Sequence, residues 1–419
     1  MKISMKYGNE TIDLQTDEQI KILKPEKIDL ESETEILKKA FQNPINKESF
    51  EEFASSSERL LIIVNDATRP TPTARVLDYL SPILLNHSDV AFIVACGSHR
   101  APTEDEFEQI FGKCYKEFKD KIFVHDAENK DEIEFIGKTS SGNKIGFNKK
   151  VFDYKNVVAI NSVEPHYFAG YTGGRKSFLP GVAAYETIEY NHTSALEKEA
   201  CGLALKGNPV NEDMMESVEL LKEKINIFSI QIVLTPSGET YNVTTGDLHD
   251  SFLKAVEYSK QVSCIKLKEK GNIVVTVAPP PLDINLYQSQ KALENGKLAL
   301  EENGIIILYS KCPKGIGPEK FMNLLSSEET PEKVLGKIKE GYKLGYHKAA
   351  KIAELSCQAD IWAVTGIDEE QIKQAFMKPY NDLQKALDDA VIEIKNKGDM
   401  PKIVVLPSGS LTVPFISNC

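Results

Sequence analysis

Short apolar runs rich in β-branched residues recur along this chain, most with a longer helical pattern before the next, and that alternation leaves few folds open. In the first half, residues 60–64, 90–95, 121–125 and 156–160 are the apolar runs, and 73–85 and 103–111 are helical stretches between them. Runs this short and this continuously apolar read as strands buried on both faces, as in a parallel sheet covered by helices. Residues 227–234 and 239–245, joined by Pro236-Ser237-Gly238, read as a hairpin, and 248–262 as a helix. A second series begins at 272–277 and continues with 305–309, 361–364 and 403–406. The expected fold class is α/β, with two domains built on mostly parallel sheets.

At 419 residues the chain exceeds what one hydrophobic core usually serves. The lysine-rich stretch 266–271 is the best boundary. It gives an N-terminal domain over 1–265, a C-terminal domain over 272–400, and a last strand and tail over 401–419 whose return to the N-terminal domain is left open. The first forty residues read as irregular and acidic. Hydrophobic residues at 41% and charged residues at 27% are those of a soluble globular protein. A net charge of −12 argues against a nucleic-acid or anionic-membrane partner. No apolar run is long enough to span a bilayer, and Met1-Lys2-Ile3-Ser4 lacks a signal-peptide core, so a cytoplasmic location is expected. Seven cysteines, scattered and never in a C-x-x-C pair, fit neither a disulfide framework nor a cysteine zinc site.

The ends of the strands carry the chemistry. Residues 60–64 run into Asp66-Ala67-Thr68-Arg69-Pro70, 90–95 into Gly97-Ser98-His99-Arg100, and 156–160 into Glu164-Pro165-His166. In the second series, 272–277 leads to Pro279-Pro280-Pro281-Leu282-Asp283. Open α/β sheets bind ligands beyond the carboxyl ends of their strands. Polar clusters at four such ends, in both expected domains, point to one site in an interdomain cleft.

The densest cluster follows the 156–160 strand. His166 and His192 bracket Gly173-Gly174-Arg175-Lys176-Ser177, where glycines permit close backbone approach, two cations suit a phosphate, and a lysine can be a nucleophile. The P-loop spacing fails because Arg175 stands where glycine must precede the lysine, and the histidines lack H-E-x-x-H spacing. Asp66 and Thr68 can equally cap a helix or, with Arg69, receive a carboxylate or phosphate. His99, on a glycine turn, is either a structural hydrogen-bonder or an acid–base group. Gln288 and Lys291 share a helix face, solvated or turned to a ligand. Trp362, the one tryptophan, is core or pocket wall. His87, His125, His249 and His347 read as structural.

Together these pieces resemble the nickel-pincer-nucleotide-dependent lactate racemase family. The match runs in order through Asp66-Ala67-Thr68-Arg69-Pro70-Thr71, Gly97-Ser98-His99-Arg100, Glu164-Pro165-His166, Gly173-Gly174-Arg175-Lys176-Ser177, Pro180-Gly181, His192, and Asp283-Ile284-Asn285-Leu286-Tyr287-Gln288 with Lys291. The resemblance implies a pyridinium-3-thioamide-5-thiocarboxylic acid mononucleotide attached to Lys176. That cofactor holds nickel through sulfur, carbon and sulfur, with His192 as the fourth ligand. By the same resemblance His99 and His166 are the acid–base pair. Arg69, Gln288, Lys291 and Trp362 face the substrate, while Asp66, Thr68, Gly173, Gly174, Arg175, Ser177 and Tyr287 seat the cofactor. The implied reaction inverts C2 of a small 2-hydroxy acid, with hydride passing to and from the cofactor while a histidine takes the hydroxyl proton. Enzymes that make the cofactor and insert nickel are the implied partners. The alternative is a phosphate- or nucleotide-binding protein, without racemase activity, that reuses the glycine loop.

Overall fold

The computed structural model describes residues 2–7, 9–24 and 28–416, so the last three residues of the expected 401–419 tail lie outside it. The chain divides into two compact units, Ile28–Val262 and Met1–Lys27 with Ser263–Cys419.

In the Ile28–Val262 unit one sheet has the order Thr240–Gly246, Asn226–Leu234, Asn156–Ser162, Arg59–Asn65, Asp89–Ala95, Ile122–Val124. All neighbours are parallel except Thr240–Gly246, the antiparallel arm of the expected hairpin. Counted along the chain from Arg59–Asn65, this is the 3-2-1-4-5-6 order of a doubly wound sheet. Leu60, Ile62, Val64, Phe92 and Val94 pack with the helices Glu33–Gln42, Phe50–Ser55 and Thr73–Leu84. Their alternates Leu61, Ile63 and Ile93 are fully buried too. Each such side chain contributes roughly 1.5–3 kcal/mol on burial, which is why the runs are apolar without alternation. A second hairpin, Ile133–Lys138 with Lys144–Asn148, was not anticipated.

The other unit is built on a wholly parallel sheet in the order Lys378–Tyr380, Asp360–Val364, Leu300–Tyr309, Gly271–Val277, Ile403–Leu406, Ile20–Ile22. The expected domain limits differ here. Residues 2–7 and 10–15 form an antiparallel hairpin rather than an irregular acidic segment. Ile3, Met5, Tyr7 and Leu14 enter the core of this unit with Trp362 and the helix Leu383–Asn396. The strand Val413–Ile416 pairs with Cys264–Leu267 in the same unit, so the tail does not return to the N-terminal domain. Lys266 lies within that strand, and the boundary falls just before it, after Val262.

Candidate active site

The strand order of the first unit reverses between Arg59–Asn65 and Asn156–Ser162, and doubly wound sheets bind their ligands at that reversal, beyond the carboxyl ends. Asp66 follows the first strand and is 5% exposed. His99 follows Asp89–Ala95, whose register pairs Ala95 with Asn65 and so sets the two strand ends side by side. His99 Nδ1 stands 2.7 Å from Asp66 Oδ2. The Thr68 hydroxyl and backbone N–H donate to the other carboxylate oxygen at 2.7 and 3.1 Å. Burial alone would raise the Asp66 carboxyl. The hydrogen bond and charge of His99, the Thr68 hydroxyl and the Arg69 guanidinium outweigh it, and hold the group below the usual carboxylate range. A carboxylate on Nδ1 keeps the neutral ring's proton there and leaves Nε2 as the acceptor. Asp66 and Thr68, expected as cofactor seats, therefore serve His99 first.

Beyond the other strand, Pro165–His166 pairs with Gly170–Tyr171 in a tight hairpin. His166 is 9% exposed, and its Nδ1 accepts the Ala169 N–H at 3.3 Å, which puts the neutral ring's proton on Nε2. Phe168, at the hairpin tip, gathers the predicted site. Its ring centroid lies 4.5 Å from that of His166 and 5.2 Å from that of His192, and Lys176 Nζ stands 5.7 Å over its face. His192 sits in the helix Tyr185–Thr193. Burial, then the Lys176 ammonium and more weakly His99, push its imidazole down to about 3 against a backbone hydrogen bond to Ile188. His192 is therefore neutral at physiological pH, the form that ligates metals. Gly97 N–H donates to Gly181 O at 2.9 Å, and Gly181 N–H to Lys176 O at 3.1 Å. The His99 turn and the Lys176 loop are thereby one hydrogen-bonded piece.

The rest of the glycine loop departs from expectation. Arg175 is 1% exposed and donates to Ala169 O at 2.7 Å and Gly173 O at 3.3 Å, with its guanidinium 4.5 Å from the Phe252 ring centroid. Burial pushes it down to about 9. It braces the loop from inside and is not displayed to a ligand. Ser177 is buried and takes a hydrogen bond from Asn161 Nδ2. Gly173 and Gly174 adopt φ +84° and +52°, and a Cβ would come within 2.5 Å of Val163 and 2.9 Å of Phe252. Gly174 N–H donates to Gln231 Oε1 at 2.9 Å. These glycines admit the protein's own core rather than a phosphate. Of the five loop residues, Lys176 alone is less than fully buried.

In the other unit, the helix Leu286–Gly296 begins at Asn285, whose side chain accepts Gln288 N–H at 2.9 Å. Tyr287, Gln288 and Lys291 lie on its first turns, half-buried. Tyr287 packs edge-on against Phe321, and Lys348 Nζ lies 4.0 Å over its ring and donates to its backbone oxygen at 2.8 Å. Burial raises the Tyr287 phenol. Asp283, before that helix, accepts the buried Tyr7 hydroxyl, and Tyr7 in turn accepts Lys311 N–H at 3.0 Å. Tyr7 is thus a brace that no motif in the sequence signals. Trp362 is 2% exposed, stacks on Tyr380 at 5.0 Å and belongs to the apolar core. That placement fits the core reading of this residue.

Two family models cover most of the chain: the lactate racemase N-terminal domain over residues 6–203 and the lactate racemase C-terminal domain over 266–413. A curated lactate racemase of Thermoanaerobacterium thermosaccharolyticum is 31% identical over 393 residues, covering 90% of this chain and 89% of that protein. The chain belongs to the lactate racemase family. Lactate racemase of Lactiplantibacillus plantarum is 27% identical over 90% of each protein. The lactate racemase apoprotein structure from T. thermosaccharolyticum superposes with a TM-score of 0.90 at 30% identity, covering 99% of this chain and 100% of that one. A Thermotoga maritima protein shares the fold alone, with a TM-score of 0.66 at 19% identity over 89% and 99% of the two chains. The protein is accordingly a racemase, an isomerase of two α/β units. Among the described residues, no helix of this family member is long and apolar enough to cross a membrane.

Proposed function

We propose that the chain inverts C2 of a small 2-hydroxy acid, lactate or a close relative, using a nickel-pincer nucleotide bound covalently through Lys176. Its residues fit that group. Lys176 offers a primary amine at the mouth of an otherwise buried loop, and His192 beside it is a neutral imidazole. Among the described residues no three His, Cys, Asp or Glu side chains are grouped to hold a metal. By the family resemblance His192 would be the protein's donor, and the remaining donors would come from the tethered group. When bound, that group supplies reversible uptake of hydride from C2.

The protein's own part is proton handling and orientation. His99, fixed by Asp66, presents Nε2 as the base for the substrate hydroxyl, and His166, with its proton on Nε2, is the donor to the oxygen in the opposite enantiomeric pose. Acid–base assistance of this kind is worth about 10²–10⁴-fold. Arg69 supplies a fork for the substrate carboxylate, and Gln288 and Lys291 keep the substrate-binding roles that the family resemblance implies. The buried Arg175 and the close-packed Gly173-Gly174 argue against the phosphate-binding alternative. The Asp66–His99 pair at the reversal point, in one hydrogen-bonded piece with Lys176, carries the reading. The test is polarimetry on a panel of enantiopure 2-hydroxy acids with protein produced alongside the cofactor-making enzymes. Loss of optical rotation with at least one acid is expected. No change with any acid, from protein shown to carry the adduct, would refute the proposal.

A further inference from the structure

Asp213, in the helix Pro209–Lys222, is 6% exposed, and among the described residues it has no ion-pair partner. Its two oxygens instead accept four neutral donors. Thr139 and Ser141 hydroxyls donate to Oδ1 at 2.6 and 2.8 Å, and Asn143 and Asn191 amides donate to Oδ2, each at 2.8 Å. A buried carboxylate is costly unless its lone pairs are filled, and here all four positions are. The donors come from two separate segments. Asn191 directly precedes His192. Asn143 also donates to Thr187 O at 3.2 Å, one turn earlier in the same helix. The Thr187 hydroxyl donates to Lys144 O at 2.7 Å and accepts Gly146 N–H at 3.1 Å. Asp213 thus holds the short helix Tyr185–Thr193 directly at Asn191 and, through Asn143, at Thr187, where the hairpin backbone also bonds it.

We infer that Asp213 is a positioning residue for His192: acting through Asn191, it fixes the rotation of that helix and so the direction in which the imidazole meets the metal. The inference rests on the proposed nickel-pincer reading. Residues that orient a metal ligand through hydrogen bonds typically alter metal affinity about 10–100-fold when lost. The variants Asp213→Ala and Asn191→Ala should release nickel about 10–100-fold faster from cofactor-loaded protein challenged with EDTA, while mass spectrometry still finds the adduct on Lys176. Asp213→Asn should stay close to wild type, because its amide oxygen can face Asn143 and Asn191 and its amide N–H the two hydroxyls. Asn191→Ala leaves three of the four Asp213 donors in place, so it serves if Asp213→Ala does not fold. Variants that lower the melting temperature but release nickel at the wild-type rate would overturn the positioning role and leave the parent reading intact. Wild-type protein that carries neither adduct nor nickel would overturn both.

Discussion

Replacing Asp66 by Asn separates tautomer control from cofactor seating at constant volume. In the wild type the 2.7 Å contact joins a buried carboxylate to His99 Nδ1, with Thr68 filling the other oxygen. An amide there can donate its N–H to Nδ1, which moves the ring proton to Nε2 and removes the acceptor that faces the substrate. The whole general-base contribution is then at risk, about 10²–10⁴-fold, or about 3–5 kcal/mol of transition-state stabilisation. A comparable Asp-to-Asn change in a serine-protease triad costs about 10⁴-fold by the same tautomer inversion. The assay is kcat in both directions on cofactor-loaded protein, with the Lys176 adduct and nickel content measured on the same sample. Activity within about threefold of wild type would refute the tautomer argument, being far below the range expected of a lost base. Loss of the adduct would instead return Asp66 to the cofactor-seating role that the sequence motif implies.

Three other outcomes are expected. Burial pushes His125 down to about 4 from an ordinary 6.5, with its Nε2 donating to Ala183 O at 2.9 Å and its Nδ1 accepting from Asn148 at 3.2 Å. Its folded value lies below its unfolded one, so the unfolded chain takes the proton first as pH falls, and stability present above pH 6.5 is lost progressively towards pH 4. At about 1.4 kcal/mol per pH unit, most of that loss, about 2 kcal/mol, falls between pH 7 and pH 5. Urea midpoints at the two pH values should fall less in His125→Gln than in wild type, by the equivalent of that about 2 kcal/mol, and equal pH slopes would contradict it. Phe168→Leu removes three edge-on ring contacts, to His166, Tyr167 and His192, worth about 0.5–1.5 kcal/mol each, so chemical denaturation should report a loss of about 1.5–4.5 kcal/mol, and a change below about 0.5 kcal/mol would dismiss its gathering role. Gly174→Ala forces a Cβ to 2.9 Å from Phe252 at φ +52°; a loss of about 2–4 kcal/mol is expected from strain plus overpacking, and a neutral thermal melt would contradict so tight a contact.

The central strands are legible because burial on both faces demands continuous apolar runs, and the apolar run 403–406 coincides with the strand Ile403–Leu406. The N-terminal hairpin was legible in principle, since Ile3, Met5 and Tyr7 alternate with polar residues, but the acidic composition around it masked the period. The hairpin at 133–148 has one largely exposed strand and so little apolar signal. At the site, residue types were readable and pairings were not. Asp66 and His99 stand far apart in sequence and meet only because their strands are parallel neighbours. Arginine in a glycine loop reads as exposed, because the Phe252 ring that covers Arg175 comes from elsewhere in the fold. Phe168 carries no signal of its own in the sequence, because only the hairpin turns it toward two histidines and a lysine.

Covalent tethering through Lys176 is tested most directly by peptide mapping with mass spectrometry, nickel being quantified on the same protein produced with the cofactor-making enzymes. An adduct on Lys176 and about one nickel per chain are expected, with loss of both adduct and racemisation in Lys176→Ala. Racemisation by Lys176→Ala at the wild-type rate would contradict the tether and the chemistry built on it.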